Sequence, residues 1–275
     1  VFVLVLAFFV RMWGIDYDLP YIYHPDETLY VTISQNIFKL ADLNPHFFHY
    51  PSLFFYINAS SYLPYYFFSG LVSSGDIMGP EVLVMGTAYS AMPSTFLWGR
   101  IITVFFGIGT VILTFLTGKH LAGKSVIGLL AALLVAISPT NVSHSRFITP
   151  DTFLTFFATA SLFAAILVYK CGKTRHYLLA AICIGFTASS KYNGGVIVVV
   201  LLMAHLLRHG KKMFKQWNIY LALLLCAFSF FATTPYALLD YDEFVNHMRF
   251  EGQHYASGHA GMEGDTLVWY LKYMW

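Results

Sequence analysis

Residues 97–119 read Leu97-Trp98-Gly99-Arg100, then Ile101 to Leu116 with no charged side chain, and end on Lys119. The apolar part, Leu97–Leu116, has roughly the 20 residues that a helix needs to cross a bilayer. Further apolar stretches recur at Val1–Trp13, Pro51–Val72, Val126–Ile137, Thr152–Tyr169, Tyr177–Ala188, Gly195–Leu207 and Ile219–Thr233. The shorter ones need polar flanks, tilt or partial insertion to match a membrane. The chain is 57% hydrophobic and 11% charged, against about 25% charged residues in soluble domains. These features predict an all-α, polytopic transmembrane helical bundle formed as one module over 1–275. A net charge of +2 is too small to imply a nucleic-acid partner, and none is expected. Cys171, Cys183 and Cys226 show no paired spacing, so neither a disulfide framework nor a zinc site is indicated.

Charge sets the orientation. Lys119 and Lys124, then Lys170, Lys173 and Arg175, then Arg208, Lys211, Lys212 and Lys215 form three basic connections, which the positive-inside rule places in the cytoplasm. Ser138–Pro150, the turn at Lys191, a first loop over 14–50 and a later loop over 235–266 then face outward. Pro51–Val72 breaks the parity and is expected to be re-entrant or interfacial. The chain starts without Met and both ends fall within apolar segments, which reads as a fragment of a longer protein.

The first loop concentrates acid: Asp16, Asp18, Asp26 and Glu27 are four of the chain's 14 acidic residues. Carboxylates where a membrane helix surfaces ask for a functional reason. After them Leu29, Ile33, Ile37 and Leu40 recur at helical spacing, as in an amphipathic helix along the membrane surface. Asp26 and Glu27 fall in its first turn, where Asp26 is the candidate general base, with a simple helix cap as the alternative. His24 flanks them. His49-Tyr50-Pro51 opens the next apolar helix and suits a phosphate, or else an aromatic belt. Arg146, before the helix start at Pro150-Asp151, is placed to reach an outward phosphate, and Asp151 a sugar hydroxyl; the alternative is a snorkelling arginine and a capping aspartate. Arg100 and Lys191 are cations near membrane depth, rare unless they face an anion or a cavity. The His/Asp/Glu-rich segment after Pro235, with His254 and His259, is expected to cover the site; its spacing matches no defined metal pattern. The short apolar halves around Lys191 also suit a transporter.

Taken in order, His24-Pro25-Asp26-Glu27, His49-Tyr50-Pro51-Ser52-Leu53, Arg100 at a helix start, Ser145-Arg146 with Asp151, and Lys191-Tyr192-Asn193-Gly194 resemble the lipid-carrier-dependent glycosyltransferases of the C-type membrane fold. That group includes protein O-mannosyltransferases and aminoarabinose transferases. The proline motif departs from the family's, keeping one proline. The resemblance implies transfer of a sugar from a polyprenyl-phosphate donor to a hydroxyl of a protein, lipid or polysaccharide acceptor outside the membrane. It implies Asp26 and Glu27 as catalytic residues, and His49, Tyr50, Arg100, Arg146 and Lys191 as donor-phosphate contacts. His24, Asp151, His254 and His259 are then substrate contacts. No cofactor is required and a divalent metal is compatible. The short 235–266 segment points to a bacterial or archaeal plasma membrane. A transporter or flippase of lipid-linked sugars, or a non-catalytic assembly subunit, are the other readings.

Overall fold

The computed structural model describes residues 1–69, 82–84, 87–89, 93–257, 268 and 272. Helix α1 (Phe2–Met12) leads into the first loop, where strand β1 (Tyr21–Ile22) precedes helix α2 (Glu27–Lys39) and helix α3 (Leu53–Ser69). Strands β2 (Val82–Val84) and β3 (Thr87–Tyr89) follow. The bundle proper is α4 (Pro93–Ala122), α5 (Ser125–Ile137), the short α6 (Pro139–His144), α7 (Pro150–Cys171), α8 (Thr174–Ser190), α9 (Val198–His209) and α10 (Trp217–Thr233), capped by α11 (Tyr236–Leu239) and α12 (Tyr241–Ser257). The single departure from a helical chain among the described residues is a small antiparallel sheet in the order β1-β3-β2, with Tyr21 opposite Tyr89 and Leu83 opposite Ala88.

Three helical segments are long and apolar enough to cross a membrane: Pro93–Ala122, Pro150–Cys171 and Tyr192–Lys215, the last including the 3-10 turns that flank α9. Short connections make sequential helices antiparallel neighbours, and α4 packs on α5 and α7, and α8 on α7 and α10. The basic connections at Lys119–Lys124, Lys170–Arg175 and Arg208–Lys215 therefore collect at one end of the bundle, while Asp151, Lys191 and α11–α12 collect at the other. Small residues permit close crossings without a solvent-driven apolar force between helices. A Cβ on Gly185 of α8 would stand 2.5 Å from the Ser229 Cβ of α10.

At the acidic end, α2 packs on α3 and, less extensively, on α4. Tyr30, Val31, Ile33 and Ile37 are buried against Phe54, Phe55, Ile148 and Phe153. The expected apolar face of α2 is rotated: Ile33 and Ile37 point in, but Leu29 and Leu40 are exposed and Tyr30 takes the inner position. Arg11, absent from the sequence-based candidates, is wholly buried. It donates to the Ala136, Val135 and Ala7 carbonyls and, at 2.6 Å, to Asn141 Oδ1. It thereby adds donors to the carbonyls at the C-terminal end of α5 and ties α1 to α5 and α6.

Two expectations are corrected or bounded. Much of the segment expected as a solvated loop over 235–266 is helix, α11 and α12, because Phe244, His247, Met248 and Glu251 recur at i, i+3, i+4 and i+7 to give one face. The expected Pro51–Val72 helix is observed as Leu53–Ser69, and its continuation lies outside the described residues.

Candidate functional site

The acidic pair divides into two roles at the N-terminus of α2. Successive residues of a helix point about 100° apart, so Glu27 enters the protein and Asp26 faces out. Glu27 is fully buried. Its Oε1 accepts from Arg100 Nε at 3.0 Å and from the Ile148 amide at 2.8 Å, and its Oε2 from Arg100 Nη2 at 2.6 Å. Asp18 takes the rest of the guanidinium, Oδ1 from Nη1 at 2.6 Å and Oδ2 from Nη2 at 3.1 Å, and the Ile15 carbonyl accepts from Nη1 at 2.8 Å. All five Arg100 N–H groups are thus directed at protein acceptors, with the side chains of all three ionic partners wholly buried. That use differs from the phosphate contact expected for Arg100: the anion it faces is the protein's own. Asp18 was read only as part of an acidic run, and nothing in its spacing marks it as the partner of a residue 82 positions later.

Asp26 is exposed and stands at the N-cap of α2 without a side-chain cap bond. The capping alternative therefore does not describe its carboxylate. His24 lies beside it, its ring 4.9 Å from that of Phe147 and its Nδ1 3.3 Å from the Asp26 amide. One turn into the helix, burial pushes the Tyr30 phenol up, with further upward contributions from Tyr50, Asp26 and Asp151. Tyr30 packs edge-on to Tyr50 at 5.7 Å. It is the side chain through which the acidic turn meets the rest of the site.

That remainder is a cavity of about 360 Å³ lined by His49, Tyr50, Lys191, Tyr192, Asn193, Met248 and Glu251. Lys191 sits where α8 has ended and the chain turns extended before a 3-10 segment, Tyr192–Ile197. Its ammonium pairs with Asp151 Oδ1 at 2.9 Å and lies 5.7 Å from the Tyr50 ring centroid. Of the expected donor contacts, His49, Tyr50 and Lys191, far apart in sequence, meet here, with Asp151 on the Lys191 ammonium; Arg100 does not join them. Helix α12 closes the cavity. Glu251 Oε1 pairs with His49 Nδ1 at 2.5 Å, the His247 ring stacks on His49 at 4.6 Å, and His247 Nδ1 accepts from the Phe48 amide at 2.9 Å. Desolvation lowers the His247 pKa, His49 lowers it further, and Glu243, Asp240 and Glu251 oppose. Glu251 and His247 were singled out only as members of an acidic and histidine-rich segment; their helical spacing with Phe244 is the signal that finds them.

Arg146 stands apart from that cavity. Its Nη2 donates to the Val10 carbonyl and its buried Nε has no partner among the described residues. It lines a mainly apolar groove of about 270 Å³ with Phe9, Val10, Trp13, Ile137, Pro139 and Val142. A cation at the head of an apolar groove is a setting for a lipid phosphate, although the buried Nε itself is not open to it. His254 lies on α12, stacked on Phe250 at 6.2 Å and not lining the cavity; His259 lies outside the described residues. No three His, Cys, Asp or Glu side chains converge on a metal position among the described residues.

Comparison with known proteins accords with this architecture. The chain is 31% identical over 104 residues to dolichyl-phosphate-mannose–protein mannosyltransferase 1 of Candida albicans, an alignment covering 36% of this chain and 12% of that protein. Its fold is similar to that of the S. cerevisiae protein O-mannosyltransferase Pmt1–Pmt2 complex bound to the sugar donor, with a TM-score of 0.52, 18% identity, and coverage of 92% of this chain and 34% of the solved one. The chain thus spans about a third of that relative's length. The family model for dolichyl-phosphate-mannose-protein mannosyltransferases matches residues 76–244, more than half of the sequence and beginning after the acidic turn. This integral membrane, helical chain belongs to the dolichyl-phosphate-mannose-protein mannosyltransferase family.

Proposed function

We propose that the protein transfers a sugar, mannose by its family, from a polyprenyl-phosphate carrier of the dolichyl class to an acceptor hydroxyl, a protein hydroxyl by the same analogy. The observation that carries this reading is the division of the acidic pair: Glu27 is locked by Arg100 and Ile148, and Asp26 is left exposed beside it. Asp26 accepts the acceptor's proton as its oxygen attacks the anomeric carbon. The bond from that carbon to the phosphate oxygen breaks in the same displacement. The anomeric configuration inverts, and the carrier leaves as a phosphate that needs positive charge rather than a proton. Lys191 supplies that charge in the cavity, with Tyr50 under the ammonium and His49 beside it on the cavity wall, and Arg146 meets the carrier at its apolar groove. Glu27 and Arg100 are positioning residues for Asp26. His24 and Asp151 contact substrate.

Sidedness follows from the basic connections: by the positive-inside rule the site opens on the extracytoplasmic face. The matched relatives are both yeast proteins, so the expected bacterial or archaeal plasma membrane rests on the short 235–266 segment alone.

The test is sugar transfer by the full-length protein from dolichyl-phosphate-mannose to a serine- and threonine-rich peptide. The product should carry inverted anomeric configuration. Lys191→Ala should raise the donor KM about tenfold or more, the loss of a charge-assisted contact. Retention of configuration, or an unchanged donor KM in that variant, would count against the scheme.

A further inference from the structure

At the bundle end opposite the candidate site, a cavity of about 480 Å³ is lined by Tyr169, Lys170, Leu207, Arg208 and His209. It joins the C-termini of α7 and α9. Helix α7 has 22 residues and starts next to Asp151, so at 1.5 Å per residue this cavity is about 33 Å along it from the catalytic end.

The cations are built into place. Arg208 Nη1 donates to the Tyr169 carbonyl at 2.8 Å, leaving its other N–H groups for a ligand. Its guanidinium lies over Gly172, where a Cβ would overlap it; Gly172 ends α7 in the left-handed conformation at φ 63°, so one glycine serves both the turn and the arginine. Lys170 donates to the His120 carbonyl. His209 is fixed from beneath. His205, fully buried, has Nε2 3.0 Å from the Met213 carbonyl and must carry a hydrogen there. Its Nδ1 is then the acceptor for the Tyr177 hydroxyl at 2.6 Å. The Tyr177 oxygen in turn accepts from His209 Nε2 at 3.3 Å, which leaves His209 Nδ1 as an acceptor facing the cavity.

Among the described residues no carboxylate pairs with a cation at this end. Between Arg100 and Asp240 Asp151 is the one acidic residue in the sequence, and it lies at the far end of α7, while nine Lys and Arg residues sit in the three basic connections. The rim is apolar: Tyr169 is 45% exposed and Leu207 67% exposed. Cations below an apolar lip, at the ends of membrane-length helices, match a phosphate headgroup whose acyl chains stay in the bilayer.

We propose that this cavity binds the headgroup of an anionic membrane phospholipid, with Arg208 and Lys170 on the phosphate, His209 Nδ1 accepting from a headgroup hydroxyl, and Tyr169 and Leu207 against the glycerol and first acyl carbons. The site is separate from the catalytic end and uses none of its residues.

Thermal unfolding of the full-length protein in dodecyl maltoside tests this, with dioctanoyl phosphatidylglycerol, dioctanoyl phosphatidylcholine or inorganic phosphate added. Phosphatidylglycerol should raise the midpoint saturably, while the other two at equal concentration should not. Arg208→Gln and, separately, Lys170→Gln should each weaken half-saturation about tenfold, the loss of one charge-assisted contact. Both side chains are exposed, so the variants should fold. Lys215→Gln, which removes a charge at the same end outside the cavity, should leave the shift intact. Equal stabilisation by phosphatidylcholine would overturn the site, as would equal weakening by Lys215→Gln. Equal stabilisation by inorganic phosphate would make it a free-anion site and overturn the lipid assignment.

Discussion

Arg100 stands between Asp18 and Glu27 with no side-chain surface left on any of the three. Such a group is weak as a source of net stability, since desolvation offsets much of the attraction, but breaking it from one side strands buried charge. Arg100→Ala leaves two carboxylates facing each other and should destabilise the protein by about 3–5 kcal/mol, read as a fall in unfolding midpoint in detergent. Asp26→Asn, one residue from Glu27 but exposed, should leave that midpoint nearly unchanged. At this scale the sequence was legible in residue type and ambiguous in partner. A cation near membrane depth asked for an anion, and Arg100 has one; that it is Asp18 and Glu27 rather than a substrate phosphate depends on how α4 meets the first loop. Which member of the acidic pair turns inward depends likewise on the phase of α2, which Tyr30 sets by burying ahead of Leu29.

Helix α12 shows what an element adds. It is the wall that brings Glu251 and His247 onto His49, and its apolar and titratable side chains share one face, so its existence was readable from spacing, while its docking partner was not. Docking carries a pH dependence. The folded pKa of His247 lies below the ordinary imidazole value of 6.5, so undocked α12 binds a proton more readily than docked α12. Docking is therefore fully stable above about pH 6.5 and weakens as pH falls through the lowered folded value. The groups facing His247 are His49, Asp240, Glu243 and Glu251. Hydrogen-exchange protection of the Phe48 amide, which donates to His247 Nδ1, should decrease between pH 7.5 and 5 beyond the intrinsic exchange trend. His247→Gln should flatten that response; a response of the same size in that variant would place the titration elsewhere.

Over the whole molecule, antiparallel helices carry charge to two ends: acidic groups, Lys191 and α12 at one, nine basic residues at the other. This polarity was legible in the spacing of Lys, Arg and Asp, and so was the bundle, because both follow from local composition. The clamp of Arg11 on the end of α5 was not, since one arginine in an apolar helix does not announce which carbonyls it will meet. In the proposed scheme the proton acceptor and the phosphate-binding cation are held on different elements, Asp26 at the N-cap of α2 and Lys191 at the break after α8, with Tyr30 and Tyr50 between them. The most direct test is the initial rate of mannose transfer from dolichyl-phosphate-mannose by full-length Asp26→Asn, at saturating donor and with the unfolding midpoint measured in parallel. Loss of a general base should lower turnover by about 10²–10⁴-fold at an unchanged midpoint; near-normal turnover would contradict Asp26 as the base.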